Sequence, residues 1–205
     1  EFQKRIISSL FLIPITLFFV YQGSIFFVFF LSLFFILACY EWLKMNKEFI
    51  LIKICGIIFF ILSFYSVYLL RNDFGFSIFI CVILICIFTD VGGYTFGKIF
   101  KGPKLTKISP NKTYSGAIGS FFLSFINGYL LFTFQIDYLM FEKNIFIIIA
   151  LVSFFSQLGD LLISLLKRKA KIKDTGKILP GHGGVLDRVD GILVALPVGL
   201  LLISI

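Results

Sequence analysis

The chain has 205 residues, 59% of them hydrophobic and 19% aromatic, and a formal charge of +8 from 19 Lys and Arg against 11 Asp and Glu. A mean hydropathy of +1.03 excludes an ordinary soluble domain and points to an integral membrane protein. The positive balance does not imply nucleic acid, because the cations lie in loops flanking apolar runs with no RNA-binding pattern around them.

A spanning helix needs about 20 mostly apolar residues. In chain order such runs fall at residues 6–20, 24–40, 50–70, 74–97, 116–136, 144–166 and 189–205, which predicts about seven spans with the first and last short. The runs are continuous rather than alternating, which argues against a barrel wall. The expected fold class is therefore all-α, a polytopic transmembrane helix bundle. The 29 phenylalanines are read as bulk hydrophobe on a lipid-facing exterior. Residues 6–20 lack a small-residue cleavage pattern, so the first span is expected to stay. A start at Glu1 rather than Met is what a chain lacking its native first residues would show.

Basic residues accumulate in cytoplasmic loops, so their distribution predicts orientation. With the N-terminus cytoplasmic, that side collects Lys4, Arg5, Lys44, Lys47, Lys53, Lys98, Lys101, Lys104, Lys107, Lys112, the cations from Lys167 to Lys177, and Arg188. Of the 19 Lys and Arg, only Arg71 and Lys143 then fall outside. A miscount of spans before residue 190 would scramble this parity.

Residues 1–88 read as N-terminal transmembrane spans with little chemistry. They carry short polar turns and one loop with Glu41, Trp42 and Glu48, in which Trp42 is expected to anchor at the interface. Cys39, Cys55, Cys81 and Cys86 lie in apolar segments without metal-type spacing and are expected to be reduced. Chemistry is expected in residues 89–205, a C-terminal transmembrane catalytic region with two cytoplasmic loops.

The first of these loops, TDVGGYTFGKIFKGPKLTKISPNKTYSGAIGS, opens with Asp90 and glycines at 92, 93 and 97, and ends in Ser109, Pro110, Asn111, Lys112, Thr113 and Gly116. Hydroxyls, an amide and a lysine before a glycine-started helix suggest a phosphate or base pocket. The Walker A spacing is missing.

The second loop lies in SQLGDLLISLLKRKAKIKDTGKILPGHGGVLDRVD, residues 156–190. Asp160 closes the preceding span, and a carboxylate at the bilayer centre costs about 2.5–3.5 kcal/mol, so it calls for a partner or a wet cavity. Asp187 and Asp190 are three apart and would share a helix face. With Asp160 they suggest an oxygen-rich metal site of the kind Mg²⁺ prefers, completed by water and phosphate. The plainer alternative is a helix cap by Asp187 and an Arg188–Asp190 salt bridge. Within LPGHGG, Pro180 rigidifies the entrance, and Gly181, Gly183 and Gly184 allow a turn whose N–H groups meet an anion at a helix start. Lys167 and Arg168 are expected to face phosphate, while several of Lys169, Lys171, Lys173 and Lys177 serve as a positive-inside anchor.

SLLKRKAKIKDTGKILPGHGGVLDRVD, residues 164–190, resembles the C-terminal signature of the phosphatidate cytidylyltransferase (CDP-diacylglycerol synthase) family. The shared elements are Ser164, Lys167, Arg168, Lys173, Asp174, Gly176, Pro180, His182, Gly183, Gly184, Asp187, Arg188 and Asp190. Upstream, Gln157, Gly159 and Asp160 match, as do Asp90, Tyr94, Gly97, Ser109, Pro110, Lys112, Thr113 and Gly116. The likeness is strong over residues 89–200; before that the chain is only a compatible run of spans opening with KRIISSLFLIPI. Tyr114 and Ser115 depart from a common Trp-Glu pair, and Gly93 stands where Ala is frequent. The role of the missing glutamate in ordering the loop or nucleotide is then either unfilled or met elsewhere.

The resemblance implies a nucleotidyltransferase that moves a cytidylyl group from CTP to phosphatidic acid, giving CDP-diacylglycerol and pyrophosphate in phospholipid biosynthesis, with Mg²⁺ as cofactor. Asp160, Asp187 and Asp190 would hold metal, and Lys167, Arg168 and Arg188 would stabilise charge. Asp90, Ser109, Lys112, His182, Gly183 and Gly184 would bind nucleotide, His182 as an orienting hydrogen-bond group. Partners are CTP, phosphatidic acid, the bilayer and, as an open question, a second copy of the chain; no nucleic acid is involved. The expected location is the inner (cytoplasmic) membrane, with the site on the cytoplasmic face. The rival readings are a cytidylyltransferase for another lipid phosphate, and a transporter or channel whose Asp90 and Asp160 line an ion path.

Overall fold

The structure, a computed structural model, describes residues 2–45, 50–106, 109, 112–133, 145–179, 181 and 183–204. Seven helices are formed among them: α1 (Phe2–Gln22), α2 (Ser24–Met45), α3 (Ile50–Asn72), α4 (Gly75–Phe100), α5 (Tyr114–Thr133), α6 (Ile145–Lys169) and α7 (Leu186–Ser204). Each falls on one of the apolar runs, and the all-α expectation holds. Four of them, α2, α3, α4 and α6, are long and apolar enough to cross a bilayer, and residues Leu10–Gln22 form a shorter apolar stretch.

Apolar side chains face outward as well as inward. Phe11, Phe29, Ile58, Leu62, Ile118 and Leu201 are all more than half exposed, which suits a wall in contact with lipid. The inner faces form two clusters. Around α4, Ile78, Val82 and Ile85 pack with Ile149 and Val152 of α6 and Leu196 of α7. Nearer the polar loops, Ala38 and Trp42 of α2 pack with Phe60 of α3 and Leu186 and Leu193 of α7. The first three helices and the last two thus share one interior.

Helices in lipid gain nothing from burying apolar surface against one another, so close packing and buried hydrogen bonds must join them. Glycine provides the first. A Cβ added at Gly92 would collide with the Gly119 carbonyl, and one at Gly159 would press on the Asp190 carbonyl, so α4–α5 and α6–α7 cross with backbones nearly touching. Buried hydroxyls provide the second: Ser120 donates to the Thr89 carbonyl at 2.8 Å, Thr89 to Ser153 Oγ at 2.9 Å, and Ser63 to the Leu193 carbonyl at 2.8 Å.

Three expectations change here. Gly92, Gly93 and Gly97 do not belong to a phosphate loop, because α4 continues to Phe100; they are helix-packing glycines facing α5. Glu41 and Trp42 are not in a loop either, since α2 runs to Met45. Trp42 is only 5% exposed: it fills the space left by Gly56, stacks edge-on against Phe60 and donates Nε1–H to the Lys53 carbonyl at 3.3 Å. It is a wedge between α2 and α3 rather than an interfacial anchor. Arg71, one of the two cations on the sparsely charged side, has a local cause: its guanidinium donates to the Val20 and Tyr21 carbonyls at 2.7 and 2.9 Å and closes the C-terminal end of α1. The other, Lys143, lies outside the described residues.

Replacing Gly92 with Leu should therefore force α4 and α5 apart and destabilise the bundle by about 1–3 kcal/mol. Thermal unfolding in detergent would show the drop; an unchanged midpoint would mean that the close crossing is dispensable.

Candidate active site

The chain between α4 and α5 folds back as a short hairpin. Leu105 N–H donates to the Lys112 carbonyl at 2.8 Å and Tyr114 N–H to the Pro103 carbonyl at 3.1 Å. Thr113 caps α5, its Oγ1 accepting the Gly116 N–H at 3.1 Å. Ser115 hydrogen-bonds Thr113 Oγ1 at 2.9 Å and donates to the Lys101 carbonyl, so this hydroxyl ties the two ends of the hairpin together.

The hairpin carries Lys112 across to α6, where Nζ forms an ion pair with Asp160. Behind this pair lies a cavity of about 360 Å³ between α4, α5 and α6. Asp90, Ser109, Lys112 and Asp160 all line it, so the two segments singled out in the sequence meet at one place. Gln157 is also in its wall, with a buried side-chain amide nitrogen that has no protein partner among the described residues. Asp190 stands on the first turns of α7, the helix that packs against this part of α6. The glycine crossing explains the approach, since Gly159 precedes Asp160 and packs on the backbone of Asp190 itself.

Asp187 is used differently. One oxygen accepts Lys167 Nζ at 2.8 Å; the other accepts the N–H groups of Thr175 at 2.8 Å and Gly184 at 3.0 Å. The predicted trio of Asp160, Asp187 and Asp190 is therefore not one group, and Lys167 is committed to Asp187 instead of standing free for phosphate. Among the described residues no three His, Cys, Asp or Glu side chains converge as a metal site. Mg²⁺ does not need such a cage, because it is commonly held by one or two carboxylates together with water and substrate phosphates. Carboxylates on neighbouring helices beside a polar cavity fit that chemistry, and of the predicted trio Asp160 and Asp190 are the two that would be left to hold such an ion.

The glycine turn forms as expected, with Gly181 and Gly183 at φ of 77° and 87° and the Leu179 N–H bonded to the Gly183 carbonyl at 3.0 Å. Three N–H groups from the end of the turn to the start of α7 are taken by side chains of the protein, however. Gly184 donates to Asp187, and Val185 and Leu186 donate to Glu41 at 3.0 and 2.9 Å. His182, with Pro180, Pro110 and Asn111, lies outside the described residues. Arg168 is exposed at the end of α6, where Nη1 reaches the Ile172 carbonyl at 3.4 Å, and Arg188 is exposed on the first turn of α7.

Glu41 is the residue that sequence reasoning missed. It is 1% exposed, 144 residues before Val185, and its carboxylate accepts two backbone N–H groups at the start of α7 and the Thr175 hydroxyl at 2.8 Å. A Glu within an apolar run was the available signal, because a carboxylate in a span requires partners.

A model of the cytidylyltransferase family matches residues 46–205. The chain belongs to this family. Among curated relatives, proteins named phosphatidate cytidylyltransferase are similar to it. The one from Brucella suis biovar 1 (strain 1330) is 41% identical over 133 residues, 63% of this chain and 48% of that protein. The one from Staphylococcus saprophyticus subsp. saprophyticus is 37% identical over 175 residues, 83% of this chain and 66% of that protein. A third, from Staphylococcus aureus (strain COL), is 38% identical over 166 residues, 79% and 61% of the two chains. The chain spans about half to two thirds of the length of these relatives. In the cytidylyltransferase family, the matched region contains both polar loops, whereas Glu41 lies just before it.

Glu41→Ala would leave three buried donors without their acceptor and should destabilise the protein by about 3 kcal/mol or more, with Glu41→Gln milder because one oxygen remains. Thermal unfolding of both variants measures this; a wild-type midpoint for Glu41→Ala would remove the residue from this role.

Proposed function

We propose that the chain transfers a cytidylyl group from CTP to phosphatidic acid, forming CDP-diacylglycerol and pyrophosphate. The observation that carries this reading is the cavity shared by Asp90, Asp160, Lys112 and Ser109 in a member of the cytidylyltransferase family. The names of the relatives supply the substrate pair.

In the proposed reaction an oxygen of the lipid phosphate monoester attacks the α-phosphorus of CTP. The bond from that phosphorus to the bridging oxygen breaks, and pyrophosphate leaves with the electron pair. The nucleophile is already ionised, so no general base is required. Two anions must be brought together, and charge neutralisation with alignment supplies most of the rate. Mg²⁺ held by Asp160 and Asp190 would supply neutralisation when bound. Lys112 provides a cation in the cavity wall, with Ser109 beside it. Asp90 lines the same cavity, and the exposed Arg168 and Arg188 would add positive charge for outgoing or incoming phosphate. Asp187 and Lys167 act one step back by fixing the loop that precedes α7.

The parity of the basic residues supports a site on the cytoplasmic face of the inner membrane. Phosphatidic acid would then enter from the leaflet and CTP from solution.

The test is radiolabelled CTP, phosphatidic acid and Mg²⁺ with the purified chain in mixed micelles. Labelled CDP-diacylglycerol is expected, and its absence with folded protein would refute the reading. Asp160→Asn should lower product formation at least about 100-fold with little change in thermal unfolding. Asp187→Asn should lower the unfolding midpoint together with activity, because it releases two backbone N–H groups and Lys167. Equal stability of the two variants would contradict this division of roles.

A further inference from the structure

A second cavity, of about 1100 Å³, opens on the other side of α6. From that helix it takes Leu166 and Lys169, whereas the carboxylate cavity takes Gln157, Asp160 and Leu161. At about 100° per residue these sets point to opposite faces. Lys44, Lys169, Lys171, Lys173 and Lys177 line the second cavity, with Asp174 the single acidic residue among the described residues of its wall. Among the described residues none of these five lysines is ion-paired, the two ion pairs being those of Lys112 and Lys167.

The backbone holds these cations in place. Lys171 takes φ of 56°, its N–H donates to the Arg168 carbonyl at 3.0 Å, and Ile172 N–H donates to the Lys167 carbonyl at 3.0 Å. This left-handed close to α6 turns the chain sharply back. Thr175, farther along the same wall, is fixed by Asp187 and Glu41. Like charges gathered on an ordered segment repel unless an anion joins them.

The rest of the wall is apolar: Met45, Ile52, Leu166 and Ile172. It lies where α2 and α6 end and α3 begins, at the edge of the apolar spans, with Ile50 and Leu51 more than two thirds exposed beside it. Among the described residues no aromatic ring is in the wall to stack a nucleotide base. A ligand that is anionic at one end, apolar at the other, and present at the membrane boundary satisfies both walls.

We propose that this cavity binds the phosphate headgroup of an anionic membrane lipid, with its glycerol and first acyl carbons against Met45, Ile52, Leu166 and Ile172. The site is separate from the carboxylate cavity and does not depend on the proposed transfer reaction.

The test uses the whole chain in detergent micelles, with binding read by native mass spectrometry. Dioleoyl phosphatidylglycerol is the probe because its phosphodiester is not a monoester acceptor; dioleoyl phosphatidylcholine and CTP are the comparisons. Wild type should bind phosphatidylglycerol well above phosphatidylcholine. Each lysine near an anionic headgroup contributes about fivefold, so Lys169→Gln with Lys173→Gln should weaken phosphatidylglycerol binding roughly 25-fold. Lys44→Gln with Lys177→Gln should do the same by an independent route, and neither pair should change CTP affinity. Equal binding of the two lipids by wild type, or wild-type phosphatidylglycerol affinity in either folded double variant, would overturn the proposal. So would a loss confined to CTP, which would make the cavity a nucleotide site.

Discussion

The buried carboxylate of Glu41 is the constraint on which the polar end of the bundle depends. It sits in α2, in the part of the chain with the least chemistry, yet it receives the backbone N–H groups of Val185 and Leu186 and the hydroxyl of Thr175. A charge at 1% exposure is tolerable only with such partners, so its burial and the position of the loop are one event. The start of α7 is fixed by it, and with that start come Asp187 and Asp190. The favourable placement of an anion at a helix N-terminus is thus filled from within the protein.

From that anchor the carboxylates divide into two kinds. Glu41 and Asp187 face inward and satisfy backbone donors of the loop; Asp90 and Asp160 line the cavity between α4, α5 and α6, with Asp190 on the adjoining α7. Glycine makes the second group possible, because Gly159 allows α7 to approach α6 closely at Asp190. The cations divide in the same way. Lys167 is bound to Asp187 and Lys112 to Asp160, while the lysines beyond the end of α6 line a different cavity.

Much of this was legible in the sequence because bilayer thickness imposes a length on every apolar run, and all seven runs became helices. That Asp90, Ser109, Lys112 and Asp160 would gather in one place was also legible, since polar groups at the ends of spans call for partners or a wet cavity. What could not be read was partner choice. Asp187 and Asp190, three residues apart, look equivalent in one dimension, yet Thr175, Gly184 and Lys167 claim the first. The glycines of α4 looked like a phosphate turn because composition does not distinguish a turn glycine from one at a helix crossing. Trp42 and Glu41 were misplaced together, since only tertiary contact with Gly56 and with residues 175–186 reveals what they do.

The central claim is that nucleotide phosphates meet Asp160, Asp190 and Lys112 while Asp187 stays with its loop. A density map of the protein with Mg²⁺ and a non-hydrolysable CTP analogue tests it most directly. The account predicts phosphates in the cavity between α4, α5 and α6, with the bonds from Lys167, Thr175 and Gly184 to Asp187 intact. Phosphates seated instead on the N–H groups of Gly184, Val185 and Leu186, with Glu41 and Asp187 displaced, would contradict it.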